Sequence, residues 1–376
     1  MSTAIMPSFD ENMMKRAIAL ATKGAGHVSP NPLVGAVVVK DGQIIGEGWH
    51  AYFGGPHAEV NAIKSLDNNV LINSTLYVNL EPCSHFGKTP PCTSLIIEKR
   101  ISKVVIGMQD PNPLVAGKGI KALSEAGIQV ELGVLEEKCK WLNRFFVKHI
   151  TTAMPYVVAK AAQSLDGAIA LRSGQSKWIS CTESRRRAHQ LRAELDAVLI
   201  GKATALTDNP SLTVRDVRGR NPIRIVFDTN LSLPSNLNVF QRKNENLDST
   251  KTIVCCSEQA YSNSNKFREE ECIELLAVKL NAKGQIDLKD ALSKLYKYHS
   301  IGSILLEGGA ELASSFIEEN LIDELHLFVA PIIIGDGKRF FEKFNLMNLP
   351  LAPKYDIKHV RKSDEDIEII AISHKD

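Results

Sequence analysis

Two short segments carry residues whose types and spacing can do hydrolytic chemistry. One is Gly54-Gly55-Pro56-His57-Ala58-Glu59; the other begins Glu81-Pro82-Cys83-Ser84-His85 and ends Pro90-Pro91-Cys92. Removing an amino group from an amidine-like ring carbon requires hydroxide at neutral pH, and zinc provides it by lowering the pKa of a ligated water from 15.7 to about 7. His57, Cys83 and Cys92 would supply three ligands and leave the fourth tetrahedral position open. Glu59 would then move protons from the water to a ring nitrogen and to the leaving ammonia. The common signature for such enzymes places two residues between the cysteines, whereas eight lie between them here. The bare pattern therefore also admits two buried thiols and a loop histidine. A scaffold protein with a structural zinc is a further reading. Such sites usually fill all four positions with protein ligands, and His85 is the neighbour that would close this one.

These side chains need elements to hold them. Pro56 and Pro91 sit where helices begin, running to about Ser65 and Arg100. His57 and Cys92 would lie in the first turns, where the positive helix end favours a thiolate. Asp10 reads as the cap of a helix with Met13, Met14, Ala17, Ile18 and Ala21 at helical spacing. Residues 34–39 form an apolar β-branched run, and Asp41-Gly42 is a hairpin turn before residues 43–48. Strands are expected at 75–79, 104–108 and 129–133, with a helix at 118–126. This is a helix and a hairpin followed by β-α-β-α-β, with parallel crossovers and helices on both faces. Residues 141–154 read as a last helix and connector, so a boundary falls near 150–155.

Beyond it a second α/β pattern starts. Strands are expected at 156–162, 197–201, 222–228, 252–257, 303–307 and 324–334, with helices at 184–195 and 311–320. Residues 241–271 read as a polar loop containing a weak strand. No G-x-G-x-x-G follows a strand, which argues against a Rossmann dinucleotide site. The strand–turn–helix around Glu307-Gly308-Gly309 could cradle a phosphate, as any β-turn-α unit could.

The bulk properties narrow the classes. A chain of 376 residues allows two domains, and a net charge of +2 exerts no general pull on nucleic acid or membrane. Seven cysteines at irregular spacing read as reduced intracellular thiols. No basic, then apolar, leader and no long apolar run marks a secreted or membrane protein. A nucleic-acid base deaminase with an accessory domain is the alternative; the lack of interleaved basic and aromatic residues argues against it.

The motifs in combination say more. Asn31-Pro32-x-Val34-Gly35, His57-Ala58-Glu59, Glu81-Pro82-Cys83-Ser84-His85-x-Gly87-Lys88-Thr89-Pro90-Pro91-Cys92 and Gln109-Asp110-Pro111-Asn112-Pro113 resemble the bifunctional riboflavin-biosynthesis deaminase–reductases. In that family the eight-residue insert between the cysteines is normal. Lys160…Ser164-Leu165-Asp166-Gly167, Ser176-x-Trp178-Ile179, Asp208-Asn209-Pro210-x-Leu212-Thr213-x-Arg215, Pro222-x-Arg224-x-Val226-x-Asp228 and Glu307-Gly308-Gly309 are similar to its reductase half.

The resemblance implies an α/β chain. Residues 1–150 would form a cytidine-deaminase-like three-layer α/β/α domain, and residues 151–376 a dihydrofolate-reductase-like α/β domain. It implies zinc-dependent deamination of 2,5-diamino-6-ribosylamino-4(3H)-pyrimidinone 5′-phosphate, then NADPH-dependent reduction of ribosylamino to ribitylamino. Asn31, His50, His85 and Lys88 would hold the pyrimidine and its ribose phosphate. Ala162, Trp178, Thr204, Asp208, Thr229 and the turn Gly309, Ala310, Glu311, Leu312, Ala313, Ser314 and Ser315 would touch NADPH. Ser176, Arg192, Leu212, Arg215 and Glu307 would touch substrate. Position 162 is often glycine in the family and is alanine here. Asp166 is a candidate to polarise or protonate the sugar. A cytoplasmic homo-oligomer acting on a small molecule, with no nucleic-acid or membrane partner, is expected.

Overall fold

The structure, a computed structural model, describes residues 7–85, 90–241, 250–267 and 270–374. The chain divides into the units Met1–Ala153 and Met154–Asp376.

The first unit follows from period-2 patterning on its strands. Ala36 and Val38 face one side of the sheet and Val37 and Val39 the other, and all four are buried. The chain runs α1 (Phe9–Ala21), β1 (Gly35–Lys40), β2 (Gln43–Trp49), α2 (Ala58–Ile63), a short α3 (Asn68–Leu71), β3 (Thr75–Leu80), α4 (Cys92–Glu98), β4 (Lys103–Met108), α5 (Lys118–Glu125), β5 (Gln129–Leu132), α6 (Glu136–Leu142) and α7 (Arg144–Thr152). The five strands lie in the order β2-β1-β3-β4-β5. The β1 strand is antiparallel to both neighbours, and β3, β4 and β5 run parallel. Ala62, Ile63, Ile96 and Leu123 from α2, α4 and α5 cover one face, together with Leu76, Val78 and Ile106. Met14, Ala17, Leu20 and Cys139 from α1 and α6 cover the other, giving three layers.

Two local expectations are corrected. The cap of α1 is Ser8, not Asp10: Glu11 N–H donates to the Ser8 hydroxyl and Ser8 N–H to the Glu11 carboxylate, a reciprocal capping box. Asp10 instead accepts from the Tyr77 hydroxyl. The helix expected over 141–154 is two helices broken at Asn143, whose amide is drawn away to both the N–H and C=O of Leu33.

Close approach places α2. A Cβ on Gly48 in β2 would stand 2.4 Å from Ala58 O and 2.4 Å from Ala62 N, so only glycine lets this helix lie against the strand.

The second unit comprises β6 (Tyr156–Ser164), β7 (Ala168–Leu171), α8 (Thr182–Glu194), β8 (Ala197–Gly201), α9 (Lys202–Asp208), β9 (Ile223–Phe227), β10 (Thr252–Ser257), α10 (Glu258–Asn263), β11 (Ile273–Val278), α11 (Leu288–His299), β12 (Ser303–Leu306), α12 (Ala310–Glu318), β13 (Glu324–Ala330), β14 (Gly337–Arg339), β15 (Tyr355–Ser363) and β16 (Asp366–Ser373). Nine strands form one sheet, β11-β10-β9-β8-β12-β6-β13-β16-β15, and β14 pairs with β7 in a separate two-stranded piece. Pairing is parallel from β11 to β13 and antiparallel through β16 and β15. Leu292, Leu295, Ala313 and Phe316 from α11 and α12 pack on Val157, Ala159, Leu199 and Ile225.

The polar stretch 241–271 contains β10, every residue of which is buried, so its strand is a core strand. The strand expected to reach residue 334 ends at Ala330, because the amides of Ile334 and Gly335 turn to the Asp166 carboxylate. The β15–β16 hairpin was not legible in the sequence.

Candidate active sites

The sequence brings His57 to the N-cap of α2, Glu59 into its first turn and Cys92 to the first position of α4. Cys83 follows the end of β3. Among the described residues His57, Cys83 and Cys92 form a group whose ligand atoms all lie within 4.8 Å of one another. His57 Nδ1 is 3.5 Å from Cys83 Sγ and 3.3 Å from Cys92 Sγ. Tetrahedral zinc with ordinary Zn–S and Zn–N distances separates such atoms by about 3.6 Å. One imidazole and two thiolates in this arrangement fit zinc. The Cys92 N–H donates to Cys83 Sγ at 3.3 Å. The Cys92 side chain, with His57 adding to the shift, pulls Cys83 well below the ordinary thiol range, while the neighbouring Cys83 and burial push Cys92 up. His85 is exposed and outside the group, so among the described residues the protein offers three ligands.

Glu59 is 3% exposed. Burial, then the neighbouring Cys83, pushes its carboxyl up to about 7, the behaviour of a group that both takes and gives protons near neutrality.

Asn31 and His50 meet beside this centre. The Asn31 amide lies 3.1 Å from His50 Nε2, and His50 Nδ1 lies 3.0 Å from Pro56 O. Burial lowers the His50 pKa, so the ring is neutral, donates from Nδ1 to Pro56 and accepts from Asn31. Its ring centroid stands 5.7 Å from that of His57. Lys88 lies outside the described residues.

Sequence reasoning missed the part played by Glu81. This 5%-exposed carboxylate accepts four backbone N–H groups, from Asp110 (3.1 Å), Gly117 (3.0 Å), Gly119 (2.8 Å) and Ile120 (3.2 Å). It fastens the 110–120 segment beneath the Pro82-Cys83 ligand loop. The sole signal available in sequence was its place two residues before Cys83.

The second unit carries a cavity of about 1080 Å³, just above the ~300–1,000 Å³ common for ligand sites. Ala162, Ser176, Trp178, Thr204, Asp208, Thr229, Glu307, Gly309, Ala310, Glu311, Leu312 and Ser315 line it, as do the cations Lys160, Arg185 and Lys202. That mixture of apolar wall and cations fits a phosphate-bearing cofactor. Ala313 is fully buried in the core, and the buried Ser314 hydroxyl accepts from the Lys343 N–H, so neither belongs to the lining. Gly309 N–H donates to the Thr204 hydroxyl at 2.9 Å, which ties the turn to α9.

Arg192 does not line the cavity. Its guanidinium forks onto Glu307 with two bonds of 2.6 Å and donates to Thr213 O at 3.1 Å. Burial works against Glu307's charge, and Arg192 overcomes it and holds the carboxyl below its ordinary value. Leu212 is buried with a φ of 55°, and Arg215 is exposed in the same loop. Lys160, named in the sequence only as part of a motif, emerges from β6 into the cavity; burial pushes its ammonium down while Glu307 opposes the shift.

Asp166, a candidate from the sequence to polarise or protonate the sugar, is held as a hydrogen-bond acceptor. The Ser164 hydroxyl and the N–H groups of Gly335 and Ile334 hold its carboxyl down at about 2, so it carries no proton near neutrality.

Comparison with known proteins identifies the two units. Residues 7–108 match the cytidine and deoxycytidylate deaminase zinc-binding region, and residues 155–369 match the RibD C-terminal domain. The chain is 41% identical to the riboflavin biosynthesis protein RibD of Aquifex aeolicus, over 96% of this chain and 97% of that one. To the Escherichia coli protein of the same name it is 37% identical, over 95% and 98%. Among solved structures, Acinetobacter baumannii RibD aligns with a TM-score of 0.85 at 36% identity, covering 98% of this chain and 99% of that one. A Thermotoga maritima diaminohydroxyphosphoribosylaminopyrimidine deaminase/5-amino-6-(5-phosphoribosylamino)uracil reductase aligns with a TM-score of 0.84 at 41% identity, covering 97% and 99%. With a zinc-binding deaminase unit in front of a reductase unit, and relatives matched over nearly their whole length, the chain belongs to the RibD family of bifunctional deaminase–reductases of riboflavin biosynthesis.

Proposed function

We propose that residues 1–150 deaminate 2,5-diamino-6-ribosylamino-4(3H)-pyrimidinone 5′-phosphate, and that residues 151–376 reduce the ribosylamino group of the product to ribitylamino with NADPH. The observation that carries the first step is the convergence of His57, Cys83 and Cys92 within 4.8 Å, beside a buried Glu59. Zinc held by these three residues supplies Lewis acidity and a nucleophile at neutral pH. Glu59 would take one proton from the attacking water and deliver it to the ring nitrogen, then take the remaining proton of the new C–OH and pass it to the amino group, which leaves as ammonia while the carbonyl forms. Asn31, the neutral His50, His85 and Lys88 hold the pyrimidine and its ribose phosphate.

In the second unit Ala162, Trp178, Thr204, Asp208, Thr229, Gly309, Ala310, Glu311, Leu312 and Ser315 bind NADPH, while Ala313 and Ser314 support the turn from the core side. Ser176, Leu212, Arg215 and Glu307 bind substrate, with Arg192 acting through Glu307. NADPH supplies the hydride. Lys160, whose burial eases release of its proton, serves the opening sugar ring. The enzyme works as a cytoplasmic homo-oligomer without nucleic-acid or membrane partners; no described helix is long and apolar enough to cross a membrane.

The test measures zinc content, ammonia release from the diaminopyrimidine, and NADPH oxidation on the deaminated product, all on one preparation. Stoichiometric zinc with both turnovers is expected. Zinc with no NADPH turnover would remove the second half of the proposal.

A further inference from the structure

The reductase cavity has one wall that the main sheet does not hold. Strands β7 and β14 pair only with each other, outside the nine-stranded sheet. Yet Ile169, Ala170 and Gly174 from the β7 side, and Lys338, Phe340 and Glu342 from the β14 side, line the cavity. A two-stranded ribbon is marginal by itself in water; Phe340 and Ile169 pack one side of it onto the core, and a polar fastening fixes the loops that lead into it.

The fastening lies at its root. Leu165 N–H donates to Ile332 O at 2.9 Å, bringing the loop after β6 onto the loop after β13. Between these loops sits the Asp166 carboxylate. Its Oδ1 accepts from the Ser164 hydroxyl at 2.6 Å and the Ile334 N–H at 3.1 Å, and its Oδ2 accepts from the Gly335 N–H at 2.7 Å. The Ser164 oxygen in turn accepts from Ala168 N–H at 2.9 Å, the first residue of β7. One carboxylate thus joins the start of β7 to the approach to β14. Just past the end of β7, Arg172 donates to Asp336 before β14 and to Glu342 after it.

We infer that Asp166 is a positioning residue for the reductase: it latches the β7–β14 ribbon as a fixed wall of the cavity and takes no part in the chemical step. The inference rests on reading the cavity as the NADPH and substrate site. Charged-acceptor hydrogen bonds of this kind are stronger than neutral ones, and a wall fixed before ligands arrive lowers the cost of ordering it on binding.

The test compares Asp166→Ala and Asp166→Asn with the unaltered enzyme by hydrogen exchange of the ligand-free protein and by steady-state reduction. Amide exchange across residues 332–336 should quicken by about tenfold in Asp166→Ala, and by less in Asp166→Asn, which keeps one acceptor. The KM for NADPH should rise by about the same factor, with kcat changed far less. Arg172→Met should loosen residues 336–342 in the same way, which keeps the inference testable should Asp166→Ala fold poorly. Unchanged exchange at 332–336, or a loss confined to kcat, would overturn the latch. If the unaltered enzyme failed to oxidise NADPH, the reading of the cavity would fall, while the exchange data would still judge the latch.

Discussion

Arg192 and Glu307 face each other through two parallel bonds of 2.6 Å, and both side chains are 13% exposed. Glu307 lines the reductase cavity and Arg192 does not, so the arginine governs the charge and direction of a carboxylate presented to the ligand. Planar bidentate pairing is something lysine does not reproduce. Arg192→Lys is expected to keep the fold and lose most reduction. Arg192→Met leaves a buried carboxylate unpaired and should cost about 3–5 kcal/mol of stability in the second unit. Denaturant titration with parallel NADPH oxidation checks both; an Arg192→Lys enzyme with unchanged reduction would contradict the role given to the fork.

For the deaminase, Glu59→Gln should retain zinc and lower ammonia release by about 10²–10⁴-fold, the usual worth of a positioned proton carrier. Metal analysis beside the kinetic assay separates loss of the proton carrier from loss of the metal. Stripping zinc by chelation should abolish deamination and leave NADPH oxidation intact, since the reductase cavity is lined from the second unit alone.

Glu81→Gln tests the anchoring of the Cys83 loop. A neutral amide keeps one acceptor oxygen for four N–H donors and sets an NH₂ against the others, so roughly 1–3 kcal/mol should be lost. Zinc retention in a chelator competition should weaken together with thermal stability of the first unit. Retention identical to the parent would show that the loop keeps its ligand geometry unaided.

A pH dependence of stability follows from the buried cluster on β13 and β16. His326 bridges Glu324 and Glu368, and Arg361 and Arg187 also reach Glu368. Burial opposes both charges, but these partners overcome it, raising His326 and bringing Glu368 down to about 2. The Glu368 contribution is present above its unfolded value of about 4.3 and is lost as pH falls toward 2. The His326 contribution is full below about 6.5 and fades as pH rises through the raised folded value. Thermal midpoints across pH should therefore fall at both ends, and His326→Gln should flatten the alkaline limb. An alkaline limb unchanged by that substitution would sink the assignment.

Much of the first site was legible because its chemistry is written locally. His57 and Glu59 are two residues apart, and each ligand-bearing helix is announced by a proline. Glu81 was not legible in that way, for its four donors come from residues 110–120 and exist only once α5 packs. Strand β16 inverts the expected rule: Glu368 is 1% exposed and its neighbour Ile367 is 42% exposed. Alternation would place the isoleucine inside; of the groups that neutralise Glu368, Arg361 sits across the hairpin on β15, but His326 and Arg187 come from elements far away in sequence. Lys160 misleads for the same reason, since a lysine in a strand reads as solvated until the cavity around it is known. Asp10 and Ser8 are both competent caps, and the choice fell to the reciprocal partner Glu11.

Gly48 faces the backbone of α2, and it sets the gauge of the deaminase. The carbonyl of Ala58 and the amide of Ala62 already fill the space its side chain would need, and His57 and Glu59 flank that same Ala58. Any substituent at 48 would wedge the helix outward, carrying ligand and carboxylate away from the thiols of α4 and the 83 loop. A library randomised at this position and selected for riboflavin prototrophy should return glycine, so the tolerance of the active site to evolution is fenced from behind, by a hydrogen atom.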